Sequence, residues 1–123
     1  MIEFICNCNT KFDLQTIVQM DIIELLSVEC DFCVEVNRKN FFKQSFFPIL
    51  EFLNCYLKWD KCCDFVYNAI ESAENPMLSF KKQLTFWKID SVWKQFNCEA
   101  NFAINDFIIA ANALCYDLSN DIN

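Results

Sequence analysis

The chain has 123 residues, 54% of them hydrophobic and 16% aromatic, which suits one packed domain and excludes a disordered segment. It contains no glycine and no histidine. That removes the glycine-rich phosphate loop, the Rossmann turn, the nucleophile elbow, the imidazole base and the histidine metal ligand. With 17 acids against 10 bases and a net charge of −7, the sign is wrong for gripping nucleic-acid phosphates or an anionic membrane surface, and right for a basic partner.

In chain order, Ile2–Cys8 reads as a strand with Ile2, Phe4, Cys6 and Cys8 on one face. Asp13 caps a helix whose Leu14, Ile17, Val18, Ile22, Leu25 and Leu26 recur at helical spacing. Val28–Val36 alternates: Val28, Cys30, Phe32, Val34 and Val36 face one way, and Glu29, Asp31, Cys33 and Glu35 the other. This pattern predicts a half-buried strand with one acidic face. Asn37-Arg38-Lys39-Asn40 is a turn in which asparagine takes the left-handed positions glycine would fill, and Phe41–Phe46 returns as the second strand of a hairpin.

A central helix is expected from Phe47 to Trp59, with Pro48 in its first turn and Ile49, Leu50, Phe52, Leu53, Tyr56 and Leu57 on a broad apolar face. Asp64–Ile70 is apolar and β-prone, and Glu71–Pro76 is an acidic loop. Met77–Lys81, Thr85–Asp90 and Ser91–Phe96 read as short strands, and a last helix covers Phe102–Leu118. The expected fold class is therefore α+β, a mainly antiparallel sheet with two or three packed helices in a single domain over residues 1–123.

Nine cysteines raise metal or redox chemistry. The first residues show no basic, apolar and small-residue pattern of a secretory signal, and nine is odd, so the thiols read as reduced, small hydrophobes of a cytoplasmic protein. Cys30-x-x-Cys33 places its thiols on opposite strand faces, and Cys6, Cys8, Cys62 and Cys63 have no diagnostic ligand spacing. No metal, no cofactor and no catalytic residue is expected. Ser45, Ser79 and Ser91 lack a base and read as caps or strand-surface hydroxyls. Trp59, Tyr67, Phe86, Trp87 and Trp93 read as core aromatics rather than a base-stacking platform, with some at an interface rim. The longest run without a charged residue, Phe107–Tyr116, is too short to span a membrane.

Charge distribution is more informative. Residues 1–37 carry seven acids and only Lys11 as base, and residues 99–123 carry Glu99, Asp106, Asp117 and Asp121 with no base. The acidic strand face (Glu29, Asp31, Glu35) and the loop acids Glu71 and Glu74 are the candidate partner-binding residues, a negative patch for a basic protein.

Phe47-Pro48-Ile49-Leu50-Glu51-Phe52, Trp59, Asp64-Phe65-Val66-Tyr67, Glu74-Asn75-Pro76, Ser79-Phe80 and Trp87-Lys88-Ile89-Asp90-Ser91-Val92-Trp93 occur in that order. Over residues 2–118 the chain thereby resembles small acidic bacterial immunity proteins of polymorphic toxin or contact-dependent growth inhibition systems. The resemblance implies a cytoplasmic α+β domain that binds one cognate toxin domain and blocks it; the acidic surface adds the expectation of a nuclease toxin with a basic substrate cleft. Two other readings are a phage-type acidic inhibitor that mimics nucleic acid, and a small ligand-binding domain with an apolar pocket.

Overall fold

The computed structural model describes residues 1–119; Asp121, counted above among the C-terminal acids, lies outside them. Strand β1 (Ile2–Asn7) pairs antiparallel with β2 (Cys30–Val36), and β2 with β3 (Lys39–Phe47). Alternation decides the facing: Ile2, Phe4, Cys30, Phe32, Val34 and Val36 are buried, while Glu3, Ile5 and Asp31 are exposed. A second antiparallel sheet contains β4 (Phe65–Tyr67), β5 (Leu78–Gln83) and β6 (Phe86–Asp90) in that order. The α+β class holds, with the strands divided over two three-stranded sheets.

Helix α3 (Ile49–Lys58) and helix α4 (Ile104–Leu118) join the sheets into one core. The Phe52 ring of α3 lies against Phe4 and Phe32 of the first sheet and Phe65 and Tyr67 of the second. Phe107 of α4 does the same through Phe4, Phe65 and Phe80. Edge-to-face and stacked ring pairs of this kind add to the burial of a large apolar area. Tyr56 Oη donates to Asn112 Oδ1 at 2.7 Å and ties the two helices together.

The single helix expected after Asp13 is two: α1 (Leu14–Gln19) and α2 (Ile22–Leu25). Asn54 of α3 donates its amide to the carbonyls of Ile17 and Val18, taking two acceptors at the end of α1. Asp21 then restarts the chain, its carboxylate accepting from Glu24 N at 2.9 Å in a capping box. Ser91–Phe96 is a turn, not a strand, because Ser91 Oγ accepts from Trp93 N and the Ser91 carbonyl from Lys94 N. Pro48 precedes α3 as its capping residue instead of lying in its first turn.

Without glycine, left-handed backbone falls to other residues. Among the described residues Asn37, Arg38, Phe46, Lys61 and Leu84 have φ between 51° and 68°. Asn37 and Arg38 form the two-residue turn between β2 and β3, where both central positions need positive φ.

The cysteines depart from a purely packing role. Cys30 and Cys115 are buried, Cys62 and Cys63 are exposed, and Cys6, Cys8, Cys33, Cys55 and Cys98 are half-buried. Ser79 and Ser91 are buried rather than surface hydroxyls. Among the described residues no helix is long and apolar enough to cross a membrane.

Candidate functional site

A surface groove of about 340 Å³ lies where the end of β3 meets the loop after β4 and the turn after β6. Glu29 and Glu71 line it together with Gln44, Phe46, Met77 and Trp93. Past Trp93 it continues into a hollow of about 240 Å³ bounded by Lys43, Gln44 and Gln95.

Each wall has a local cause. Phe46 adopts φ 57° just before Phe47. This left-handed residue lets Phe47 enter the core while the Phe46 ring stays 75% exposed. Trp93 is 47% exposed, and its turn is pinned on two sides: Gln95 N donates to Phe41 O, and Val92 N to Pro76 O. The third wall, residues 68–76, is anchored from below. The buried Glu51 carboxylate accepts from Tyr67 Oη at 2.6 Å and from Ile70 N at 3.2 Å. Asn75 closes the same loop by accepting from Ala69 N and donating to the Ala69 and Ser72 carbonyls. Burial, with the Glu51 carboxylate next in effect, pushes the Tyr67 hydroxyl well above the ordinary tyrosine range.

Neither Glu29 nor Glu71 is in an ion pair; among the described residues the one ion pair is Lys94 with Asp90, at 3.1 Å. Gln44 Oε1 is buried with no hydrogen-bond donor, an arrangement that costs about 1–3 kcal/mol unless something fills it. Two carboxylates and two exposed rings are complementary to a cationic side chain with an apolar stem. A different hollow, about 400 Å³ beside β5 and β6, is lined by Lys81, Lys88 and Lys94. Lys88 already donates to Glu99 O and Lys94 to Asp90.

Of the five acids expected to form one patch, the structure brings Glu29 and Glu71 to the same groove. Asp31 and Glu35 continue from Glu29 along the outer face of β2, where Glu35 stands opposite Glu3. Glu74 is exposed in the loop of Glu71 but does not line the groove. The aromatic set divides: Trp59, Tyr67 and Trp87 are core, whereas Phe86 and Trp93 are exposed. Sequence reasoning missed Phe46 and Gln44. The signal for Phe46 was the pair Phe46-Phe47, since adjacent residues of a strand face opposite ways. Nothing local marks Gln44. Among the described residues no group of three or more cysteines and carboxylates is placed to hold a metal ion.

Fold and site together define a small α+β domain whose most distinctive surface is an acidic, aromatic-walled groove. The chain belongs to the family described as Domain of unknown function (DUF7878), whose model matches residues 2–123. No curated protein and no solved structure matches it.

Proposed function

We propose that this domain is a binding protein with no catalytic step or cofactor of its own, a cytoplasmic immunity protein that captures and neutralises a cognate toxin domain with a basic substrate surface. The observation that carries the reading is the convergence of unpaired Glu29 and Glu71 with exposed Phe46 and Trp93 around one groove. A lysine or arginine of the partner enters between the carboxylates and lays its stem on Trp93. Aromatic anchors inside a ring of charge are the usual source of interface affinity, and the charge speeds encounter. A standard interface covers about 800 Å² per partner, roughly a tenth of the 7300 Å² surface, so the groove and its rim suffice. Bound there, the domain covers the basic cleft through which a nuclease toxin engages its substrate.

The test is co-expression with the toxin domain encoded beside this gene, scored by cell survival and co-purification. The parent chain protects and co-purifies. Phe46→Ser with Trp93→Ala loses both while retaining its fold by circular dichroism. Full protection by that double variant contradicts the assignment of the groove.

A further inference from the structure

We propose that Cys6 and Cys30 form a covalent modification site, a dithiol that glutathione disulfide converts to an intramolecular disulfide stapling β1 to β2. Their Sγ atoms stand 2.7 Å apart, about 0.7 Å beyond the length of an S–S bond. The strand register brings them there. Cys6 pairs with Phe32 and Asn7 with Asp31, so Cys30 is the next inward-facing residue of β2, diagonal to Cys6. Cys30 is buried and Cys6 half-buried, and both are free thiols. Among the described residues no other two sulfurs are in hydrogen-bond contact. Cys8 is directed to Thr10 O, Cys33 to Asn40 on the opposite face, and Cys55 to Val66 O.

The two thiols are unequal, which assigns their roles. The hydrogen bond between the two sulfurs holds the Cys6 thiol below its ordinary range against the opposing effects of burial and Asp31. The same bond, with burial, raises Cys30. Cys6 is the attacking sulfur and the one with an exposed side. Its thiolate attacks one sulfur of glutathione disulfide; the S–S bond of the oxidant breaks, and one glutathione leaves as a thiolate that takes up a proton. Cys30 then gives up its proton and attacks Cys6 Sγ, expelling the second glutathione. The two cysteines lose two protons and two electrons, and the oxidant becomes two glutathione thiols. The bond closes a loop of 24 residues in sequence separation that carries α1 and α2, and so restricts the unfolded chain.

The proposal does not rest on the proposed function, and its test requires no toxin. The folded protein is equilibrated in glutathione buffers from fully reduced to fully oxidised, quenched with an alkylating reagent, digested and mapped by tandem mass spectrometry. The expected result is a Cys6–Cys30 cross-link with loss of two hydrogens and a thermal midpoint about 10 °C higher, both reversed by dithiothreitol. Cys8→Ser keeps the cross-link and the shift; Cys6→Ser loses both. Free alkylation of Cys6 and Cys30 at the oxidised end, a cross-link from Cys30 to any other cysteine, or Cys6 persisting as the glutathione mixed disulfide overturns the proposal.

Discussion

Glu51→Ala tests the framework of the groove. The Glu51 carboxylate is only 8% exposed and accepts from the buried Tyr67 hydroxyl at 2.6 Å and from Ile70 N at 3.2 Å. Truncation leaves both donors without an acceptor, at about 1–3 kcal/mol each, or about 2–6 kcal/mol together. Unfolding entropy near 2.1 cal/mol/K per residue over 123 residues converts this to a fall in thermal midpoint of about 8–23 °C. Glu51→Gln keeps an acceptor for Tyr67 but turns an amide N–H toward Ile70 N, so about half the loss is expected. Calorimetry supplies the midpoints, and a double-mutant cycle of Glu51→Ala with Tyr67→Phe supplies a coupling of at least about 1 kcal/mol. Limited proteolysis locates the damage, with new cleavage in residues 68–76. A midpoint drop for Glu51→Ala below about 2 °C, equivalent to ~0.5 kcal/mol on the same scale, refutes the idea that this carboxylate holds the groove wall.

The turn between β2 and β3 predicts a gain. Arg38→Gly relieves a left-handed arginine at φ 68° and is expected to stabilise by about 0.5–1 kcal/mol in urea titration. Burial pushes the Cys115 thiol up to about 11 from an ordinary 9.0. The unfolded chain therefore ionises first, and this contribution is intact below pH 9 and declines from there to pH 11, at up to about 1.4 kcal/mol per pH unit. Cys115→Ala should flatten that limb in urea titrations at several pH values. Under the proposed function, Glu29→Gln with Glu71→Gln slows association with the basic partner and reduces its salt dependence in stopped-flow measurements, with little change in thermal midpoint.

What was legible followed from local pattern. The alternation of Val28–Val36 placed Cys30, Phe32, Val34 and Val36 inside because one face of β2 meets water and the other meets α3. The asparagine turn at residue 37 stood out because no glycine competed for the position. The break at Met20 depends on Asn54, an α3 residue distant in sequence that takes the carbonyls ending α1, although Asp21-x-x-Glu24 was a local capping signal for the restart. Ser91–Phe96 has the composition of a strand, and the bonds of Ser91 Oγ to Trp93 N and of the Ser91 carbonyl to Lys94 N make it a turn. The site was legible as acids but not as a groove. Glu29 and Glu71 meet only because Glu51 and Asn75 fold the loop after β4 back toward the end of β3. Gln44 joins the groove lining only through packing, which also leaves its side-chain oxygen buried without a donor.

The most direct measurement is an amide and indole NMR titration of the labelled domain with the toxin partner that the proposed function assigns to it. Capture in the groove predicts that the largest shifts cluster on Glu29, Gln44, Phe46, Glu71 and the Trp93 indole N–H, while the Lys81 and Lys88 face stays unchanged. Shifts confined to that lysine face, or no shifts at saturating toxin domain, contradict it.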